Sequence, residues 1–215
     1  MVHHIHSEKT AMAASILPPS DQTYNTAITL IKNGGVMVMP TDTIYGLVAS
    51  ALNREAVEKI FTIRKRDLHK PVIILIGDMS SLEQFSVTLD TTARNFLRSV
   101  WPGKVSVVIP IQNDTDWEHL HRGTKTLAFR LPADESLRAF LRKSGPLIAP
   151  SANLAGLPPA TTIAAAQKFF GNQVDLYIDG GMCESTPSTL VSWTPTGVTI
   201  LREGAVSLNI QQEAL

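Results

Sequence analysis

The chain has 215 residues, of which 44% are hydrophobic and 18% charged. This balance is typical of a globular protein, and the length suits one generous domain. Its 19 basic and 19 acidic side chains cancel. No global charge therefore attracts the chain to nucleic acid or to an anionic membrane, and any basic site must be local.

Cysteine usage and the N-terminal composition indicate the compartment. The one cysteine, Cys183, excludes an intramolecular disulfide and fits a reducing compartment. No apolar stretch approaches the roughly 20 residues that a membrane helix needs. The first residues lack both the apolar run of a secretory signal and the arginines of a transit peptide. We expect a cytoplasmic protein whose residues 1–20, including three histidines, form a flexible tail.

Helical and extended patterns interleave along the rest of the chain. In chain order the predicted elements are a helix around 24–31, a strand at 36–39, a helix capped by Asn53, a strand at 72–76, a helix at 90–100, strands at 104–110 and 126–132, a helix at 134–144, a strand at 146–150, a helix at 162–170, and strands at 174–179, 188–193 and 198–202. Several adjacent strands are joined without helices. This pattern predicts one α+β domain over 21–207, with a mixed, largely antiparallel sheet flanked by helices, and a tail over 208–215.

The segment M-P-T-D-T-I-Y-G-L-V at 39–48 carries polar side chains at the end of an apolar strand. We interpret it as a strand that leaves the core and enters a substrate pocket. Pro40 should end the strand pairing, and Gly46 should let the chain turn close to a ligand. Asp42 and Tyr45 receive no role from the sequence.

Polar or basic groups follow several other apolar segments. They are the basic run at 64–70, S-A-N at 151–153, and the strand-end arginines Arg130 and Arg202. Each has a structural explanation by itself: cations stabilised at a helix end, a turn bonded to its own backbone, or a paired arginine. Together they lie where open α/β sheets build ligand clefts, and they would suit a polyphosphate plus a carboxylate.

Common nucleotide and catalytic motifs are absent from the sequence. It contains no Walker A loop, no G-x-G-x-x-G, no H-E-x-x-H and no G-x-S-x-G. Glu118, His119 and His121 alternate along a segment that we interpret as an irregular loop. No metal site is predicted there, because a third and fourth ligand are missing.

A set of motifs spread over residues 22 to 207 resembles, in order and spacing, the YrdC-like threonylcarbamoyl-AMP synthases. The motifs are P-T-D-T-I-Y-G-L, I-R-K-R-D-L-H-K-P, W-P-G-K-V-S-V-V-I-P, L-A-F-R-L-P, A-P-S-A-N-L-A-G-L-P-P-A-T-T, S-T-L-V and I-L-R-E-G. The ordered set is specific, whereas no single motif is. The resemblance implies a twisted mixed sheet around a basic cavity, in the single-domain form of the family.

The resemblance also implies roles for individual residues. On the threonine side it implies Thr43, Thr126, Arg130, Ala149 and Ser188, with Arg130 on the carboxylate. On the ATP side it implies Arg64, Arg66, Lys70, Ser151, Asn153 and Arg202. Arg64 and Arg66 would stabilise phosphate charge, and Arg64 stands where the family usually has lysine. Ser188 is assigned in preference to Ser185 because an apolar strand follows it directly.

The implied reaction joins L-threonine, bicarbonate and ATP, with magnesium on the phosphates, to give threonylcarbamoyl-AMP and pyrophosphate. The product feeds threonylcarbamoyladenosine modification of tRNA, which implies tRNA or double-stranded RNA and downstream transfer proteins as partners. Positioning and charge stabilisation suffice for such a transfer, so no protein nucleophile is expected. Two alternatives stay open: a non-catalytic RNA- or ribosome-binding protein of the same fold, and carbamoyl transfer from carbamoyl phosphate.

Overall fold

The computed structural model of the chain describes residues 14–65, 72–112, 115–183 and 186–208. The strands are β1 (Ser15–Leu17), β2 (Met37–Pro40), β3 (Tyr45–Ser50), β4 (Ile73–Leu75), β5 (Val105–Pro110), β6 (Thr126–Arg130), β7 (Leu147–Ile148), β8 (Leu176–Ile178), β9 (Thr189–Thr194) and β10 (Gly197–Arg202). The α-helices are α1 (Asp21–Lys32), α2 (Arg54–Arg64), α3 (Thr91–Val100), α4 (Glu118–His121), α5 (Glu135–Ser144) and α6 (Ile163–Phe170). A 3-10 segment covers Met79–Phe85.

All of these strands belong to one sheet, in the order β1–β8–β2–β3–β7–β4–β6–β5–β9–β10. Five neighbouring pairs are antiparallel and four are parallel. The predicted α+β architecture with a mixed sheet is therefore confirmed.

Short polar side chains set the starts of the helices. The side chains of Ser20, Asn53, Asp90, Asp134 and Thr162 each accept a hydrogen bond from a backbone N–H in the first turn of the helix that follows. These bonds satisfy donors that have no partner inside the helix. Helices α2, α3, α5 and α6 therefore begin within one residue of the predicted positions, whereas α1 begins three residues before the predicted start at residue 24.

The sheet buries apolar side chains on both faces. Along β2, Val38 packs in the larger core cluster, whereas Met37 and Met39 pack in a second cluster on the other face. This alternation follows from the two-residue period of a strand. Helices α1 and α5 cover the second cluster, and α2 contributes to the first.

Three features differ from the sequence prediction. The sheet begins before residue 21, because Ser15–Leu17 pairs in parallel with β8. Gly46 lies within β3, paired with Met39, and not at a turn. Residues 118–121 form α4 and not an irregular loop. The N-terminal histidines and residues 209–215 lie outside the described residues.

Within the described part of the chain, none of the helices combines the length and apolar character of a membrane span.

Candidate functional site

A cavity of about 650 Å³, counting the part open to solvent, lies where several strands end. It is lined by Thr41, Thr43, Ile44, Gly46, Ile73, Arg130, Ala149, Pro150, Ser151, Pro187, Ser188, Leu190 and Arg202. The polar members come from the β2–β3 turn, the end of β6, the segment after β7, and the two ends of the β9–β10 hairpin. Residues far apart in sequence therefore share one wall.

The turn between β2 and β3 is organised by the hydroxyl of Thr41. This hydroxyl donates to the Ile44 carbonyl at 2.6 Å and accepts from the N–H groups of Thr43 and Ile44, both at 3.2 Å. Pro40 pairs with Tyr45 as the last pair of the hairpin, as predicted. The T-D-T sequence thus forms a tight turn that presents the Thr43 side chain to the cavity.

Arg130, the last residue of β6, forms a buried ion pair with Asp42. Its Nη1 lies 2.5 Å from Asp42 Oδ1, and the two side chains are only 5% and 6% exposed. The other carboxylate oxygen accepts from the Ala133 N–H at 3.1 Å. Arg130 Nη2 also donates to Thr43 Oγ1 at 3.4 Å. Asp42, which the sequence left without a role, therefore fixes the orientation of the guanidinium.

The segment after β7 is held against β3. The Leu47 N–H donates to the Pro150 carbonyl and the Ala152 N–H to the Tyr45 carbonyl, and Gly46 forms a β-bridge with Ser151. A Cβ at Gly46 would lie 3.2 Å from Val48 Cγ1, 3.4 Å from Thr41 Cγ2 and 3.7 Å from Ala149 Cβ. A side chain here would therefore be a tight fit against Val48, and the glycine does not serve to turn the chain.

Arg64 lies behind the turn at 151–153. Its Nε donates to the Asn153 carbonyl at 3.0 Å, and its Nη2 donates to Asn153 Oδ1 at 3.1 Å and to Ser151 Oγ at 3.3 Å. The residue is 4% exposed and does not line the cavity. Three of the residues predicted on the nucleotide side, Arg64, Ser151 and Asn153, are thus brought together, and Arg64 supports the other two.

Ser188 is fixed at the opposite wall. Arg202 Nη2 donates to its carbonyl at 2.7 Å, and burial lowers the pKa of that guanidinium from its ordinary value. Arginine stays protonated under all ordinary conditions, so the cation persists. Ser188 Oγ lies 2.8 Å from the hydroxyl of Ser106 on β5, and both side chains are buried.

Tyr45 secures the segment at 180–183 that follows β8. Its hydroxyl donates to the Gly181 carbonyl at 2.7 Å and accepts from the Gly180 N–H at 3.0 Å. Burial raises the pKa of this hydroxyl. The neighbouring Cys183 Sγ lies 3.4 Å from the Thr43 carbonyl. Tyr45 thus ties β3 to a segment about 135 residues later in the chain.

A protein-family model described as "Telomere recombination", which represents the Sua5, YciO and YrdC proteins, matches residues 29–204. The chain belongs to this family.

Individual relatives agree with the family match. A protein named putative threonylcarbamoyl-AMP synthase from Mycobacterium leprae is 33% identical over 183 residues, covering 85% of this chain and 83% of its own. The structure of P. abyssi Sua5 complexed with L-threonine is 29% identical with a TM-score of 0.81, covering 89% of this chain and 58% of its own. This chain thus spans somewhat over half of that Sua5 chain.

The structure of E. coli YciO matches over almost its whole length. It is 25% identical with a TM-score of 0.81, and the match covers 91% of this chain and 98% of that chain. The match therefore extends over nearly the whole of both chains.

The structure brings together most, but not all, of the predicted site residues. Thr43, Arg130, Ala149 and Ser188 line the cavity from the threonine set, and Ser151 and Arg202 from the ATP set. Thr126 does not line it. It begins β6 four residues before Arg130, which places it roughly 13 Å away along the strand, and its hydroxyl contacts Thr124. Arg66 and Lys70 lie outside the described residues.

Among the described residues that line the cavity, the cations are Arg130 and Arg202, and the Asp42 carboxylate pairs with Arg130. The basic cavity stays a prediction, because Arg66 and Lys70 lie outside the described residues. His119 and His121 are buried in α4, away from the lining. In the described ranges, no group of three or more His, Cys, Asp or Glu side chains could hold a metal ion.

Sequence reasoning missed several contributors to this site. Asp42 and Ser106 are the most informative, because each contacts a side chain that lines the cavity: Asp42 contacts Arg130, and Ser106 contacts Ser188. Neither residue received a role from the sequence. A signal was present for each: a carboxylate just after an apolar strand must find a partner if it is buried, and a lone serine inside an apolar strand must satisfy its hydroxyl.

Proposed function

We propose that this chain is an L-threonylcarbamoyladenylate synthase, a nucleotidyltransferase that joins L-threonine, bicarbonate and ATP. One observation carries the proposal: Thr43 Oγ1 and the Arg130 guanidinium meet in the wall of a cavity. The Sua5 structure that contains L-threonine has the same fold, and related proteins carry the name threonylcarbamoyl-AMP synthase.

Arg130 is proposed to bind the threonine carboxylate. A guanidinium has five N–H donors, and its planar fork matches a carboxylate. The ion pair with Asp42 holds the fork in place, so little rotamer entropy is lost when a ligand binds. Thr43 and Ser188 present hydroxyls beside it, and Ala149 leaves room for the amino acid.

Ser151 and Arg202 are proposed to face the nucleotide, with Asn153 shaping the turn from behind. Arg66 and Lys70 complete this half as proposed phosphate contacts. Arg64 supports the turn through Ser151 and Asn153. Magnesium is proposed to enter with ATP as part of that substrate, since phosphate oxygens are its usual ligands.

The reaction proposed for this site uses the protein for positioning. The free amine of threonine attacks the bicarbonate-derived carbon, and water leaves as a carbamate forms. A carbamate oxygen then attacks the α-phosphorus in line, and the bond to the β-phosphate oxygen breaks to release pyrophosphate. Preorganised N–H and O–H donors at the walls can stabilise the charges that develop, and no covalent enzyme intermediate is required.

Pyrophosphate release provides the direct test. Purified protein should release pyrophosphate only when ATP, bicarbonate and L-threonine are all present, and labelled threonine should appear in an adenylate. Release without threonine, when carbamoyl phosphate replaces bicarbonate, would instead support carbamoyl transfer, and no release from folded protein would contradict the proposal.

The use of the product on tRNA, in the cytoplasm, is part of the same proposal. Arg66→Ala and Arg130→Ala separate it from the RNA-binding alternative. We expect Arg130→Ala to weaken threonine binding specifically. An RNA-binding protein would lose salt-dependent RNA affinity in both variants.

A further inference from the structure

Ser106 is a buried hydroxyl that the proposed reaction does not use. It lies in β5 between Val105 and Val107, whose side chains pack in the larger core cluster on the other face of the strand. It is 0% exposed, and its hydroxyl lies 2.8 Å from Ser188 Oγ. Among the residues that the structure describes, Ser188 is its hydrogen-bond partner.

The direction of this bond follows from satisfying the buried hydrogen. A hydroxyl has one hydrogen to donate, and a buried O–H left without an acceptor is strongly unfavourable. Ser188 Oγ is the acceptor within reach of Ser106 in the described structure. The distance alone allows either hydroxyl to donate. Because Ser188 lines the cavity, where its hydrogen can meet a ligand oxygen, the arrangement that satisfies both hydrogens has Ser106 donating and Ser188 accepting.

The backbone around Ser188 is already fixed. Arg202 Nη2 donates to the Ser188 carbonyl at 2.7 Å, and the Ala205 N–H donates to the Pro187 carbonyl at 2.9 Å. The next residue, Thr189, exchanges hydrogen bonds with the backbone of Val206. What remains to be set is the direction of the Ser188 hydroxyl, and Ser106 sets it.

We infer that Ser106 is a positioning residue that makes Ser188 a hydrogen-bond donor to a carboxylate-type oxygen of the ligand. Ser188 lines the cavity together with Arg130 and Arg202, so an anionic oxygen there meets two cations and one oriented O–H. This inference rests on the proposed function. The oxygen belongs either to the threonine carboxylate or to the carbamate made from it.

A double-mutant cycle tests the inference. The variants are Ser106→Ala, Ser188→Ala and the double variant, with Ser106→Thr as the conservative replacement that keeps a donor. Ser144→Ala is the matched control, since Ser144 is a buried serine whose hydroxyl contacts the Gly145 carbonyl outside the cavity. The readouts are the Kd for L-threonine by calorimetry, the KM values for threonine, bicarbonate and ATP, and the Tm.

We expect Ser188→Ala to raise the affected constant, the threonine Kd or the KM for bicarbonate, about tenfold, and Ser106→Ala to raise it about three- to tenfold. The double variant should show no larger increase than Ser188→Ala. Ser106→Thr should recover most of the loss, and the KM for ATP should stay unchanged. A change in the threonine Kd assigns the oxygen to the carboxylate. An unchanged Kd with a raised KM for bicarbonate assigns it to the carbamate.

Stability gives a second readout that does not depend on the reaction. Ser188→Ala leaves the Ser106 hydrogen without an acceptor, so its Tm should fall below that of the double variant. The inference is overturned if Ser106→Ala changes neither Kd nor KM in an active enzyme, if the two losses multiply in the double variant, or if the double variant has the lowest Tm. Wild-type protein that neither binds threonine nor releases pyrophosphate overturns the proposed function instead, and the Tm order still tests the direction of the bond.

Discussion

Asp42 holds Arg130 in a buried ion pair whose second carboxylate oxygen is bound to the chain just before α5. The carboxylate thereby connects the β2–β3 turn, the end of β6 and the start of a helix. A guanidinium held in this way is oriented before any ligand arrives, which lowers the entropy lost on binding.

Replacing Asp42 with asparagine should loosen this arrangement without changing its size. One oxygen becomes an NH₂ group, which cannot accept from either Arg130 or the Ala133 N–H. We expect a threonine KM about tenfold higher and a loss of about 1–3 kcal/mol in the free energy of unfolding. Steady-state kinetics and urea unfolding would measure the two effects.

Glu135→Gln is the matched control for Asp42→Asn. Glu135 also contacts two arginines, Arg138 and Arg142, but its side chain is 64% exposed. Exposed ion pairs contribute little, so this variant should behave as wild type. Equal effects of the two substitutions would contradict the role assigned to Asp42.

Thr43→Val tests the hydroxyl that meets Arg130. Valine keeps the shape of threonine but removes the acceptor for Arg130 Nη2 and the polar contact offered to the ligand. We expect the KM for threonine to rise about tenfold, which corresponds to about 1.4 kcal/mol, while the KM for ATP changes little. Thr43→Ser keeps the hydroxyl and should retain most of the activity; an inactive serine variant would argue against this explanation.

Arg64→Lys tests the support of the turn at 151–153. A lysine ammonium lacks the planar fork that reaches the Asn153 carbonyl, Asn153 Oδ1 and Ser151 Oγ together. We expect a loss of about 1–3 kcal/mol in stability and a higher KM for ATP, with threonine affinity preserved. If Arg64 instead contacts phosphate directly, the ATP effect should occur without any loss of stability.

The pH dependence of stability should include a contribution from His119. Burial lowers the pKa of this imidazole from its ordinary value of 6.5, an effect that a hydrogen bond to the Ala51 backbone opposes. The unfolded chain therefore takes up a proton more readily than the folded chain. The stabilising contribution is complete above about pH 6.5 and is lost as the pH falls below that value.

His119→Gln cannot titrate, so it should flatten this dependence. Urea unfolding of both proteins between pH 7.5 and 5.5 measures the difference, which should not exceed about 1.4 kcal/mol per pH unit for one proton. Parallel curves for wild type and variant would show that His119 does not contribute.

The regular elements of the fold could be predicted from the sequence because their signals are local. Asn53 and Asp90 cap helices at the predicted places, and the alternation along β2 separates two core faces. β3 and Gly46 were misinterpreted because polar residues next to a glycine suggest a turn. In the structure, a Cβ at Gly46 would lie 3.7 Å from Ala149 Cβ, a neighbour about 100 residues away in the chain that no local pattern reports.

The family motifs predict part of the cavity wall. Thr43, Arg130, Ser151 and Ser188 are identified by those motifs, and all four line the cavity. The position of Arg64 behind the turn, and the distance of Thr126 from the cavity, depend on tertiary packing that no local pattern reports. A supporting residue such as Asp42 is distinguished from a proposed ligand-binding residue only by its contacts in the folded structure.

The cavity wall draws on residues from Thr41 to Arg202, and Tyr45 joins β3 to Gly181. Since strands that are distant in the chain must pair before these residues meet, a chain that lacks β9 and β10 cannot form the complete pocket. Binding should therefore report on complete assembly of the sheet. A substrate that protects β9 and β10 from proteolysis should also protect the β2–β3 hairpin, because both contribute residues to the wall of the same cavity.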